Sequence, residues 1–409
     1  MLPNAPLSPA RWAALALAVA VAASACDLLT TEPPADGDVF DAPLDGMTGA
    51  ELAAFVRGDG EFGRPFSPAT GLGPIFNDVS CAACHSGDGR GLLRNALKRI
   101  GTPSDGFLDS LGGPQIQDKA IAGMVPEPVP AGVAVSVRLP PPVFGSGLIE
   151  AIPASAILAN VDSLDADLDG VSGRPNWVPA AAFVPATEPN GGPGLHIGRF
   201  GRKAQNAVLL QQVVTAYLED IGITSSFLPL ENRNPKSGVP VETVDHAADP
   251  EVSDATVQAV THYVRGLAPP APGEDTPSRL EGQATFATIG CAKCHVPYLT
   301  TGPSPLAAAA NRQAWMYSDL LLHDMGPGLA DNRPDGDANG SEWRTAPLWG
   351  LRLMRQFLNG EALLLHDGRA RSVEEAILLH GGEALASRNA FAALNAAQKK
   401  ALLDFVESR

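Results

Sequence analysis

Apolar positions in this chain recur with helical period in short stretches, separated by long polar runs rich in glycine and proline. Helical patterning begins near Gly49–Val56. A second helix is predicted over Asn206–Leu218, with Val208, Leu209, Gln212, Val213 and Ala216 along one face. Another covers Ser253–Leu267, where Ser253 or Asp254 caps the start and Pro269-Pro270 forces the stop. A further helix starts near Ser278. The last spans Ala396–Ser408: Asn395 is its N-cap, Gln398 completes a capping box, and Leu402, Phe405 and Val406 form the buried stripe. Period-two alternation is sparse. The pattern therefore predicts a mainly α fold with much coil, above all between about 101 and 200, where Pro140-Pro141-Pro142 is the strongest breaker. With 409 residues there is room for two domains, and the Pro269-Pro270 pair divides 46–268 from 269–409.

The N-terminal end reads differently. Arg11 precedes an apolar run, Trp12 to Ala25, too short and too soon followed by Asp27 to span a membrane. Residues 1–25 are expected to be an export signal. The run ends Ala23-Ser24-Ala25-Cys26, a lipobox with Ala23 where leucine is usual, which makes Cys26 the lipidated first residue of the mature chain. Ala-x-Ala cleavage before Cys26 is the alternative. Residues 26–45, rich in Pro, Asp and Thr, read as a tether. The expected location is the periplasm or cell envelope, with membrane contact only through the lipid on Cys26. A formal net charge of -16 argues against nucleic acid and anionic membrane surfaces as partners, and suits a small basic electron-donor protein or cytochrome.

Four of the five cysteines fall in two copies of Cys-x-x-Cys-His: Cys81-Ala82-Ala83-Cys84-His85 and Cys291-Ala292-Lys293-Cys294-His295. That spacing is the attachment signature of c-type haem, in which two thiols add to the vinyl groups and the histidine supplies the first axial ligand to iron. A redox pair would leave both histidines unexplained; zinc held by two knuckles is the other reading. A wider repeat supports haem. Phe76 stands five residues before Cys81 and Phe286 five before Cys291. Two covalent haems imply redox chemistry, and an aromatic content of only 6% fits haems supplying apolar core surface.

Further stretches resemble the di-haem cytochrome c peroxidase/MauG superfamily, and most closely its di-haem oxidoreductase branch, some members of which are labelled thiol oxidoreductase-like. They are Gly71-Leu72-Gly73-Pro74-Ile75-Phe76, Gly198-Arg199-Phe200-Gly201, Asp220-Ile221-Gly222-Ile223-Thr224, Leu322-His323-Asp324-Met325-Gly326, Arg344-Thr345-Ala346-Pro347-Leu348-Trp349-Gly350-Leu351 and His366-Asp367-Gly368-Arg369. The resemblance implies two cytochrome-c-like haem domains joined by long Pro/Gly-rich loops. It also implies peroxide reduction at the N-terminal haem, with electrons relayed from the C-terminal one. Counting from His366, the second haem's other ligand falls at His380, where relatives carry Met or Tyr; Met325 and Met354 are the next candidates. The first haem has no comparable ligand in sequence, which implies an open iron there, although His196 or Met124 would close it. Relatives place a glutamine and then a carboxylic acid over that iron, after a tryptophan that bridges the haems. Here Gln211 or Gln212 and Asp220, with Glu219 adjacent, take those places. Phe200 is the nearest aromatic, and Arg202 stands at the tryptophan's own position. The carboxylate would serve as acid–base group. Arg138 and His323 are implied as partners of haem propionates. A bare electron-transfer cytochrome, and MauG-like oxidation of a partner protein, are the alternatives.

Asp165-Ala166-Asp167-Leu168-Asp169-Gly170 has the form of a calcium loop, with Asn176 at the twelfth position instead of glutamate. Calcium through Asp165, Asp167 and Asp169, or a solvated acidic turn, are both open readings. Asp335-Gly336-Asp337-Ala338-Asn339-Gly340 is a poorer copy.

Overall fold

The structure, a computed structural model, describes residues 35–85, 87 and 89–409. The expected export signal, Cys26 and most of the tether lie outside the described residues. Helices take up 34% of the chain and strands 12%. In chain order the α-helices are α1 Gly49–Gly63, α2 Cys81–Cys84, α3 Ser146–Ala151, α4 Ala154–Leu158, α5 Leu209–Ala216, α6 Asp254–Gly266, α7 Pro277–Thr288, α8 Leu351–Phe357, α9 Val373–Leu379, α10 Leu385–Ala393 and α11 Ala396–Val406. No described helix is long and apolar enough to cross a membrane.

Helix starts follow local chemistry. The Thr48 hydroxyl accepts the Glu51 N–H at 3.3 Å while the Glu51 carboxylate accepts the Thr48 N–H at 2.7 Å, closing a capping box on α1. Ser253 caps α6, and the Asn395–Gln398 box opens α11 as its sequence predicts. The helix expected over Asn206–Leu218 is shorter. Asn206 is held in a tight turn against Phe200, so α5 begins at Leu209 and passes at Ala216 into a π-helical turn, Tyr217–Ile221.

Two helix pairs organise the molecule, α1 with α6 and α7 with α11. They cross in the same way. A Cβ on Gly58 of α1 would run into the Ala259 carbonyl and Tyr263 of α6; a Cβ on Gly282 of α7 would run into the Ala401 carbonyl and Phe405 of α11. Four residues beyond each glycine is a phenylalanine. Phe62 lies 5.3 Å from Tyr263, and Phe286 lies 5.4 Å from Phe405, between ring centroids. This close approach gives Gly58 a packing role inside α1, and Gly282 the same role inside α7.

Strands are short and form small antiparallel sheets. The largest puts Leu97–Gly101 between Gln115–Ile116 and Ala134–Arg138. Packing crosses the Pro269-Pro270 pair. One apolar core joins Phe55, Val208 and Tyr263 to Leu306, Met316, Leu321 and Trp349. A second joins Leu92 and Leu139 to Phe286 and Phe405. Buried ion pairs also cross it: Arg138 Nη2 reaches Asp331 at 2.9 Å and Asp335 at 2.6 Å, and Lys203 Nζ reaches Asp331 at 2.6 Å. The proline pair thus separates the helix pairs in sequence while the two halves share their interior.

Candidate functional site

Each Cys-x-x-Cys-His segment lies against one helix pair. The first forms α2, capped by Ser80, whose Oγ accepts the Ala83 N–H at 3.1 Å. The second is a 3-10 turn, Cys291–Lys293, entered through Gly290 at φ +89. The His85 ring lies 6.1 Å from Phe62, and the His295 ring 6.2 Å from Phe286. The matched phenylalanines are therefore Phe62 and Phe286. Phe76, which the sequence repeat pairs with Phe286, instead lies in a strand opposite Lys119. The first unit carries extra residues between its helix and its motif, and these conceal the true repeat; Gly58-x-x-x-Phe62 and Gly282-x-x-x-Phe286 were the signal that revealed it.

Burial sets the protonation of both segments. It pushes the Cys84 thiol up, helped by Asp220 and Asp78, and the Cys291 thiol up to about 12. It pushes both His85 and His295 down to about 4, leaving neutral imidazoles. A neutral imidazole keeps a lone pair for a metal.

Around His295 the arrangement is paired. His295 Nδ1 donates to the Tyr317 carbonyl at 2.8 Å. His380, the C-cap of α9, donates from Nδ1 to the Ala376 carbonyl at 2.6 Å. Burial lowers the pKa of His380 as well, and the two rings are close enough for its charge to act on His295. Fixing Nδ1 in this way leaves Nε2 as the nitrogen that could hold a metal. His323 does not fit the propionate role implied by its resemblance. Its Nε2 is taken by Asp319 at 2.9 Å and its Nδ1 by Glu383 at 2.7 Å, with Cys294 Sγ 3.5 Å away. Although burial opposes it, hydrogen bonds to Asp319, Cys294 and Glu383 raise the His323 pKa well above the usual value.

Around His85 the companions are different. The charged group acting on it is Arg202, whose buried guanidinium donates to the Leu139 carbonyl at 2.8 and 3.2 Å. Burial, then Arg90, Arg344 and Arg138, push the Arg202 pKa well below normal, with Asp367 alone opposing. Arg90 Nε and Nη2 and Arg138 Nη1 are buried without a hydrogen-bond partner. Converging, unsatisfied guanidinium groups call for anions, and the carboxylates of a porphyrin answer that need. Tyr217, 1% exposed, sits near Cys81 with its hydroxyl also unpartnered. Buried thiols, neutral histidines and orphaned donors together fit haem.

Asp220 lies in the π-helical turn, at this same motif. Its carbonyl accepts the N–H groups of Asn77 at 2.8 Å and Asp78 at 3.0 Å, tying the turn to the segment that leads into Cys81. Burial raises its carboxyl to about 7; Glu219 adds to the rise, while a hydrogen bond from Gln115 Nε2 at 2.6 Å and the charge of Arg99 oppose it. Glu219 faces Arg99 Nη1 at 3.9 Å, and burial raises its pKa too. The two glutamines chosen from sequence are employed elsewhere. Gln211 accepts the Ala181 N–H at 2.9 Å and donates to Asn206, and Gln212 accepts from Asn206 at 2.7 Å. The glutamine on Asp220 is Gln115, from a strand remote in sequence that no local pattern links to the turn. Phe200 is buried in the core at the 200–206 turn. A cavity of about 300 Å³ is lined by Gln115, Gln117, Glu127, Glu219 and Arg233 among others.

Two of the remaining histidines have structural partners. His196 Nε2 meets the Gly192 carbonyl at 3.2 Å, and His262 meets the Glu51 carbonyl at 3.1 Å across α1 and α6. In the acidic loop, Asp165 and Asp167 gather with Asp162, their oxygens within 4.8 Å of one another, and can offer oxygens to a hard cation. Asp169 is not with them: it pairs with Lys293 Nζ at 2.9 Å, inside the second motif. Asn176 is fully buried; it donates to the Lys203 and Asp335 carbonyls and accepts the Asp337 N–H, so it serves the second acidic loop and not the first. Asp335 is held by Arg138 and Arg333.

The model of the family described as "Di-haem oxidoreductase, putative peroxidase" matches residues 19–102 and 118–409. No protein with a curated description matches the chain. Among solved structures, a hydrazine synthase chain from Kuenenia stuttgartiensis, studied under xenon pressure, aligns at 14% identity over 93% of this chain and 96% of its own, with a TM-score of 0.37.

Proposed function

The chain belongs to this di-haem oxidoreductase family, and on that premise we propose that it is an exported enzyme with two covalently attached c-type haems that reduces peroxide at the His85 centre, using electrons relayed from the His295 centre. The observation that carries the reading is the unequal furnishing of the two motifs. His295 has a second neutral imidazole, His380, beside it. The first motif has the Asp220 carboxyl, raised to about 7, acting on Cys84, and the Arg202 guanidinium acting on His85.

Cys81 and Cys84, and Cys291 and Cys294, would hold the haems by thioether bonds, and His85, His295 and His380 would offer imidazole nitrogens to iron. Haem, when bound, supplies the redox chemistry. The chain supplies the rest. Arg90, Arg138 and Arg202 would neutralise the propionates. Asp220, whose carboxyl burial raises to about 7, takes a proton from peroxide and returns it to the departing oxygen. The Asn77 and Asp78 amides keep that carboxylate's turn at the motif. A basic electron donor is favoured by the net charge of -16. Export, and a lipid on Cys26, are supported by the N-terminal sequence.

The test is peroxide consumption by the full haem-loaded protein with a reduced donor, comparing wild type with Asp220→Asn. Turnover in the wild type that collapses in the variant supports the reading. No turnover in either, with both haems spectrally unchanged by peroxide, makes the protein an electron carrier.

A further inference from the structure

Gln115 ranks among the most connected side chains near the first centre, and nothing in the local sequence singles it out. It is 4% exposed. Its Nε2 donates to Asp220 Oδ1 at 2.6 Å, to Asn77 Oδ1 at 3.1 Å and to the Glu219 carbonyl at 3.4 Å. Asn77 in turn donates its own amide to the Ile116 carbonyl at 2.9 Å and its backbone N–H to the Asp220 carbonyl at 2.8 Å. The Gln115 side chain thus joins the side chains of Asp220 and Asn77, while a backbone bond ties Asn77, four residues upstream of Cys81, to Asp220. Gln115 also lines the cavity of about 300 Å³, beside Glu219, whereas Asp220 does not. It thus touches both the cavity and the carboxylate.

We infer that Gln115 is the positioning residue of the peroxide-reducing site: it aims the Asp220 carboxylate, holds it in its ionised form, and connects it to the polar cavity through which a small hydroperoxide and protons exchange with solvent. The inference rests on the reading of Asp220 given above. A hydrogen bond donated to a carboxylate favours the charged form, so it counteracts burial, which drives the same group toward the neutral acid. Without Gln115, burial and Glu219 would act on Asp220 opposed only by Arg99 on the neighbouring strand. The other ionisable groups at this place are Asp78 and Cys84 of the motif segment and Lys119, which pairs with Asp78 at 3.8 Å. None of them donates a hydrogen bond to the Asp220 carboxylate, whereas Gln115 does. Gln211 and Gln212 cannot replace it, since their amides are committed to Asn206 and Ala181.

The experiment measures the pH dependence of kcat/KM for hydrogen peroxide in the haem-loaded wild type, Gln115→Met and Gln115→Glu, with the visible haem spectrum and Tm recorded for each. Gln115→Met keeps the volume and loses the donor. Its acid limb should move up by about one pH unit, which is about tenfold less activity below the limb and little change above it. Gln115→Glu sets a second acid beside Asp220 and should move the limb further still. That order, Glu beyond Met beyond wild type, is not what a merely structural role would produce. Acid limbs unmoved in both variants, with wild-type spectra and Tm, overturn the inference while leaving the Asp220 reading intact. If Asp220→Asn itself turns over like wild type, it is the parent reading that falls.

Discussion

Around His295 the chain sets another buried imidazole; around His85 it sets a carboxyl group and guanidinium groups. The helical frames are nearly identical. Glycine crossings, ring distances of 5.3 and 5.4 Å within each helix pair, and ring-to-histidine distances of 6.1 and 6.2 Å repeat from one half to the other. What differs is contributed by the connections. α9 delivers His380 to one centre, whereas the π-helical turn and the strand of Gln115 deliver Asp220 and its partner to the other. One frame used twice can serve two purposes because the frame fixes the histidine and the loops decide what faces it.

The largest effect should come from removing an attachment. Cys81→Ser with Cys84→Ser, or Cys291→Ser with Cys294→Ser, should each leave one covalent haem of two by mass spectrometry. Retention of both haems in either double variant would break the comparison at its root. Next is Asp220→Asn, which removes the proposed proton carrier from one centre only. Peroxide turnover should fall by about 10²–10⁴-fold, with the spectrum of the other centre unmoved. The proposed mechanism makes the ionised carboxylate the active form, so turnover should rise with pH through about 7; a flat profile from pH 5 to 9 would remove Asp220 from the chemistry. His380→Ala should then convert the second haem to high spin while peroxide still binds at the first. An unchanged low-spin signal would mean that a different side chain faces His295. The smallest effect sharpens the likeness and not the difference: Gly58→Ala and Gly282→Ala press a methyl group onto a facing carbonyl, and each should lower stability by about 1–3 kcal/mol in thermal unfolding. A neutral outcome in one alone would show that the crossings are unequal.

Much of the frame is legible in sequence because it is local. Caps at Ser253 and Asn395, the stripe on α11 and the two cysteine motifs are all set by neighbours a few residues apart. Asp220 could be placed by its distance along one segment. Gln115 could not, because its bond to Asp220 spans 105 residues and its strand has no helical or catalytic signature. Phe62 was hidden for a related reason: extra residues between α1 and Cys81 make Phe76 look like the repeat of Phe286. His323 was misjudged because both of its partners, Asp319 and Glu383, belong to the packed state. The shared cores are invisible for the same cause, since a proline pair marks where a chain turns and not where its packing ends.

The most direct test of the asymmetry is electron paramagnetic resonance of the fully oxidised, haem-loaded protein. One high-spin and one low-spin haem per chain, with only the high-spin signal altered by peroxide, is the predicted result. Two low-spin signals, both indifferent to peroxide, would contradict it.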